Sequence, residues 1–165
     1  MAIGRLYAVE FHAVAVTAQQ DLFYLKPAAD KPIEIQWAKI RNVDAATDAG
    51  DAKEEDWRVE LIYLPATVTA GTGGTSQTPH PVRSVNDVAA SFTARANDAT
   101  TVATTTGTAV NLDSDGMNNR IGYDYLPPEA NRAVVANAAA VVLRLVTTPV
   151  SATLLSGTIH VAELV

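Results

Sequence analysis

Residues 48–82 read DAGDAKEEDWRVELIYLPATVTAGTGGTSQTPHPV, an acidic run followed by an alternating segment and a segment rich in glycine, threonine and proline. In the middle part, Trp57, Val59 and Leu61 are separated by single charged residues. A period of two is typical of a β-strand that buries one face. The flanking segments are long and carry no reactive set of side chains. The stretch therefore predicts a β-protein whose loops make contacts, and not an enzyme.

The composition is that of one globular domain without disulfide bonds. The chain has 165 residues, of which 48% are hydrophobic, and no cysteine. A net charge of -6 disfavours nucleic acid as a partner, because phosphate binding depends on lysine and arginine. No window approaches the roughly 20 apolar residues of a membrane-spanning helix. We expect a soluble protein, made in the cytoplasm of the cell that expresses it, with neither nucleic acid nor a membrane as partner.

Period-two alternation recurs along the whole chain. It is clearest in 6–12, 33–38, 57–63, 92–96, 141–146 and 155–161, with turn-forming residues between the segments. A helix over 128–140 is a rival interpretation, because two prolines precede many alanines there. The pattern predicts an all-β fold over residues 1–165: a single-domain, jelly-roll-like β-sandwich of roughly eight strands with long surface loops.

Two loops and the N-terminus are the predicted contact regions. Residues 44–56 contain six carboxylates and one lysine, so this loop stays in solvent or meets a basic partner. Residues 71–84 resist regular structure, and we expect an exposed, mobile loop there. Residues 1–5 are a candidate arm across a neighbour. The predicted partner-contact residues are Arg5, Asp48, Asp51, Glu54, Glu55, Thr75, Gln77, His80 and Arg83.

No constellation of residues predicts chemistry. Residues 111–116 (NLDSDG) resemble the first half of a calcium loop, but the twelfth position is Gly122 where a glutamate should close the cage. A plain Asp-Gly turn is the better interpretation. His12, His80 and His160 are far apart and lack partners at metal-ligand spacing. The sequence thus predicts no catalytic residue, no metal ligand and no cofactor.

Five stretches, in order along the chain, carry a resemblance to a known family. They are EFHAVAVTAQQDLFYLKPAADKPIEI (10–35), DAGDAKEEDWRVELI (48–62), GTGGTSQTPHPV (71–82), YDYLPPEANR (123–132) and LRLVTTPVSATLLSGTIHVAEL (143–164). Together they resemble small structural proteins encoded by tailed bacteriophages. The resemblance implies a virion protein on the capsid surface, namely a head decoration or cement protein with a jelly-roll-like fold. It further implies the major capsid protein as partner and a homotrimer.

Two other classes of protein stay open at the level of sequence. A tail or head-fibre module that binds a host surface glycan would also be all-β, and it would need exposed aromatic side chains. Trp57, Tyr123 and Tyr125 are the candidates for that role. A hydrolase would require His80 or His160 to lie beside a serine and a carboxylate in the folded protein.

Overall fold

The computed structural model describes residues 4–43 and 55–164. Within these ranges the chain forms strands and one short 3-10 helix, Glu129–Asn131. The strands are β1 Arg5–Val16, β2 Gln20–Lys26, β3 Ile33–Asn42, β4 Asp56–Leu64, β5 Val68–Thr69, β6 Thr75–Gln77, β7 His80–Pro81, β8 Thr93–Asp98, β9 Thr104–Thr105, β10 Val110–Asn118, β11 Tyr123–Tyr125, β12 Val134–Val135, β13 Ala140–Leu145 and β14 Thr153–Glu163.

Most of the strands belong to two antiparallel sheets. Sheet A has the order β11-β3-β14-β1-β7, with β12 also paired to β3, and sheet B has the order β10-β4-β13-β2-β8-β6. From β1 to β4 each successive strand lies in the other sheet, and the same alternation returns from β12 through β13 to β14. The predicted all-β sandwich is confirmed.

The main core lies between the two sheets and follows from the alternation in the sequence. Tyr7, Val9 and Phe11 point inward from β1 and are at most 4% exposed. The Phe11 ring meets that of Phe23, on the facing sheet, with their centres 5.1 Å apart. Apolar side chains of both sheets form one continuous cluster. Their removal from water is the dominant stabilising contribution to the fold.

A second, smaller core covers the outer face of sheet B. The paired strands β5 and β9 lie over it, and Val68 of β5 packs with Ile62 and Val142 of the sheet. This cover explains why β13 is apolar on both faces, since Val141 and Leu143 belong to the main core while Val142 belongs to the second one. The alternation of apolar and polar residues had indicated only the inner face.

One prediction of which side chains point into the core is wrong. The alternation over 33–38 places Trp37 with Ile33 and Ile35 and puts Ala38 on the opposite face, but Ala38 is fully buried and Trp37 is only partly buried. The pairing of β3 with β14 slips by one residue between Ile35 and Trp37. Such a bulge inverts the inward and outward sides of every following residue of the strand.

The glycine-rich segment 71–84 is also more ordered than its composition predicts. It contributes β6, which pairs with β8 at the edge of sheet B, and β7, which pairs with β1 at the edge of sheet A. Gly71 and Gly74 lie directly against the backbone of residues 96–101, where a larger residue would collide. The close approach of the two backbone segments explains why glycine occupies these positions.

Two further expectations are resolved by the described backbone. Residues 111–116 do not form an Asp-Gly turn, because they lie within the extended strand β10. The helix considered over 128–140 reduces to the 3-10 turn at Glu129–Asn131, followed by β12 and the start of β13.

Candidate functional site

The acidic loop is only partly described. Asp48, Asp51 and Glu54 lie outside the described residues. Glu55 is placed, and its carboxylate accepts hydrogen bonds from the indole N–H of Trp57 (2.8 Å) and from the amide of Val150 (2.9 Å). Glu55 therefore fastens the start of β4 to the β13–β14 connection, and a role in anchoring is what its contacts support.

The other predicted contact residues come together on one side of the sandwich, which we name the β6–β7 edge: Arg5, β6, β7 and residues 82–83. Thr75 and Gln77 lie on the edge strand of sheet B, and His80 lies on the edge strand of sheet A. The register pairs Tyr7 with Pro81 and Ala8 with His80, and its continuation sets Arg5 opposite Arg83. Thr75, His80 and Arg83 are exposed.

The opposite side of the sandwich, which the sequence did not single out, carries a long open strand. We name it the β10 edge: β10 with the adjoining residues 123–131. Among the described residues, β10 pairs only with β4, so its other side is open. Leu112 is 42% exposed and Leu126 is 71% exposed. Exposed leucines beside unpaired backbone are typical of a contact surface.

A hollow of about 300 Å³ lies where the two sheets part at this edge. Asp113, Asp115 and Asp124 line it, together with Leu112 and Leu126. None of the described residues that line it is basic. Asp124 is paired with Arg41 (2.7 Å), so the negative charge within this apolar rim is that of Asp113 and Asp115.

Hydrogen bonding fixes Asp113 in this hollow. The hydroxyl of Tyr123 donates to a carboxylate oxygen of Asp113 over 2.6 Å. Burial raises the pKa of Tyr123, and this hydrogen bond and the nearby negative charge raise it further. The pKa of Tyr125 is raised by burial and then by the charge of Asp113. Both phenols therefore stay protonated at neutral pH, and Asp113 is held in place as an acceptor.

A second hollow, of about 370 Å³, lies beside the other face of the same strand. Ser114, Gly116, Arg58 and Thr147 are among the residues that line it. A Cβ added to Gly116 would meet nothing within 4 Å, so this part of the strand leaves free room. The β10 edge thus has one hollow on each face.

Two aspartates of the sandwich are buried, and each is paired with an arginine. Asp21 is fully buried and receives hydrogen bonds from the Arg144 guanidinium (2.5 Å) and the Ala103 amide (2.6 Å). Burial raises the pKa of Asp21, and Arg144 and the amide partly offset this effect. Asp98, also fully buried, pairs with Arg95 (2.6 Å).

The contacts of both ion pairs show that they hold loops on the sandwich. Arg144 also donates to the Ala103 carbonyl (2.9 Å), and Asp98 accepts from the Gly74 amide (3.1 Å). The pairs therefore tie the segments before β9 and before β6 to sheet B. Each charge is fully engaged, as burial of a charge requires.

The outer face of sheet A carries an aromatic stack that the sequence reasoning missed. The Trp37 and His160 rings lie 4.0 Å apart, and the Lys39 ammonium lies 5.6 Å from the centre of the Trp37 ring. Burial and the charge of Lys39 lower the pKa of His160. The signal was hidden by the bulge in β3, because only the slipped register pairs Trp37 with His160.

The aromatic residues expected for a glycan site are not exposed. Trp57, Tyr123 and Tyr125 are 1%, 2% and 8% exposed and belong to the main core. The histidines do not converge either: His160 and His80 pair with opposite sides of Ala8 in sheet A. In residues 4–43 and 55–164 no group of three or more histidine, cysteine, aspartate or glutamate side chains is placed to hold a metal ion.

The comparisons with known proteins yield no match: no protein-family model, curated protein or solved structure matches the chain. Within the described part of the chain, no helix is long and apolar enough to cross a membrane.

Proposed function

We propose that this chain is a structural virion protein that decorates the outside of a tailed-phage head and stabilises it. The observation that carries the proposal is the strand order, in which β1–β4 and β12–β14 alternate between two packed sheets, as the strands of a jelly roll do. Double-sheet jelly rolls recur among viral capsid and lectin domains. The five sequence stretches that resemble phage structural proteins support the same assignment.

The arrangement of the surface is suited to such a role. The polar groups that are buried deepest serve to hold loops on the sandwich, as Asp21 and Asp98 do. Within residues 4–43 and 55–164, the surfaces best placed to meet a partner are the two open edges. We propose that these edges contact the major capsid protein and further copies of this chain, in a homotrimer. Repetition of a modest contact over a symmetric shell supplies the affinity.

Binding to undecorated heads tests this proposal. Heads assembled without this protein are incubated with it, sedimented and heated. We expect saturable co-sedimentation and release of DNA at a higher temperature than from bare heads. Light scattering on the free protein should give three times the chain mass of 17.4 kDa. Absence of the protein from the sedimented heads at saturating concentration would overturn the assignment.

A glycan-binding tail or head-fibre module is the second candidate, and one observation favours it. Trp37 lies on the open face of sheet A beside His160, where an aromatic ring can pack against a sugar. Under this alternative, Trp37→Ala abolishes binding to host cells. Under the decoration proposal it leaves binding to heads unchanged if the open edges make the contact.

A further inference from the structure

We propose that the β10 edge is a docking surface for an extended, basic segment of another protein chain, which adds to sheet B as a further strand. Addition of a strand to an open sheet edge is a recurrent mode of peptide recognition, in which backbone hydrogen bonds give affinity and side-chain pockets give specificity. The inference does not depend on the decoration proposal, because it rests on the geometry of β10 alone.

The first step concerns the backbone. The amide of Gly116 donates to the side chain of Asp115 (2.8 Å) and so is not used in the pairing with β4. Since consecutive residues of a strand direct their amides to opposite sides, Ser114 shares the open side with Gly116. Both positions are exposed. An incoming strand can therefore bond to this side of β10 once the Asp115 carboxylate turns away.

The second step concerns the side chains of the incoming strand. They alternate between the two faces of the sheet, and each face of the β10 edge has a hollow to receive them. The hollow between the sheets is lined by Asp113 and Asp115 and accepts lysine or arginine. The hollow on the outer face is lined by Asp56 and Asp115 as well as by Arg58, which itself pairs with Glu60, so it selects little by charge and takes a side chain of moderate size. The expected occupant has basic residues at every second position.

The third step concerns why a basic segment is favoured over β10 of a second copy of this chain. In an antiparallel pairing of two copies centred on Ser114, Asp113 of each copy would face Asp115 of the other. Like charges directly opposite each other destabilise a strand pair. Inward-pointing charges on an edge strand are a known protection against self-pairing. The carboxylates thus disfavour β10 of another copy and favour a basic strand.

The test uses the full chain and a synthetic peptide, Thr-Lys-Val-Lys-Val-Lys-Thr with blocked ends. We expect saturable binding that weakens with salt, and slower hydrogen exchange at the Ser114 and Gly116 amides. The control peptide has the same composition with its three lysines contiguous, and it should bind at least about threefold more weakly because it cannot present them all to one face.

Matched protein variants distinguish charge at the β10 edge from charge elsewhere on the protein. Asp113→Asn with Asp115→Asn should weaken binding about fivefold, since each exposed ion pair contributes modestly. Asp30→Asn with Asp87→Asn removes the same charge elsewhere and should leave binding unchanged. Ser114→Pro removes an open-side amide and should abolish binding, while the circular dichroism of the fold is kept.

Three results would overturn the proposal. They are no protection of the Ser114 and Gly116 amides at millimolar peptide, equal binding of the two peptides, and equal loss in the two charge variants. A concentration-dependent dimer of the free chain that Ser114→Pro dissolves would assign the edge to a second copy instead.

Discussion

At the scale of single residues, Gly157 shows how tightly the main core is filled. A Cβ at this position would lie 2.6 Å from the Phe11 ring and 2.8 Å from the Ile40 side chain. We expect Gly157→Ala to lower the free energy of unfolding by about 1–3 kcal/mol, because overpacking forces side chains from their preferred positions. Gly116→Ala is the matched control, since a Cβ there meets nothing. Urea unfolding of both variants measures the difference, and equal stabilities would contradict the packing described here.

The Asp21–Arg144 pair makes a second prediction at this scale. Arg144→Met leaves the carboxylate of Asp21 buried without its partner, and we expect a loss of about 3–5 kcal/mol in the free energy of unfolding. Asp124→Asn neutralises an ion pair that is about half exposed, and it should cost at most about 1 kcal/mol. Thermal and urea unfolding distinguish the two. A loss below about 1 kcal/mol for Arg144→Met would show that the buried carboxylate of Asp21 does not need Arg144 for its stabilisation.

His160 gives the molecule a pH dependence of known sign. Its pKa lies below the ordinary 6.5, mainly because it is buried and also because Lys39 is positive. The unfolded chain therefore takes up the proton first, and stability falls as the pH drops through about 6.5. His160→Gln should reduce this loss. Nuclear magnetic resonance titration of the His160 ring checks the cause directly, and a midpoint at or above 6.5 would refute it.

At the scale of elements, β6 and β7 change how the glycine-rich segment should be tested. Deleting residues 71–84 would remove two edge strands and the Asp98–Gly74 hydrogen bond, so loss of binding could follow from misfolding. Alanine at Thr75, Gln77, His80 and Arg83 keeps the backbone pairing. We expect this fourfold variant to melt within about 3 °C of the wild type, because surface substitutions change stability little. Its affinity for heads then reports the contact alone, and a much larger fall in melting temperature would show these side chains to be structural.

The long strands could be predicted from the sequence, whereas several short ones could not. In β1, β4 and β14 the apolar residues recur with period two, and the burial follows that period over most of each strand. The strands β5, β7, β9 and β12 have two residues each, too few to show a period. They exist because the neighbouring strand or the second core holds them. The bulge in β3 is likewise set by its pairing with β14, which no local pattern reveals.

The candidate site was predictable only in part, for a related reason. The β6–β7 edge was indicated by loop composition, and Thr75, Gln77, His80 and Arg83 do lie together there. The β10 edge was missed because NLDSDG reads as a turn, and its openness depends on which strands lie beside it. Glu55 was assigned to a partner from its charge, but its Oε2 accepts hydrogen bonds from Trp57 and Val150.

At the scale of the whole molecule, the two open edges lie at opposite ends of the strand order in both sheets. With both edges as the proposed contact surfaces, the sandwich can bridge neighbouring subunits of a shell. The fold brings no cluster of histidines together within the described residues, since His80 and His160 lie on either side of β1. The placement of the two edges is what the decoration proposal requires.

A cryo-electron microscopy map of the virion tests the central claim most directly. The decoration proposal predicts density on the outer surface of the head into which this two-sheet sandwich fits, with one or both open edges against the neighbouring subunits. Density for the sandwich on the tail or head fibre alone would contradict the proposal and favour the glycan-binding alternative. Absence of the chain from the virion would contradict both.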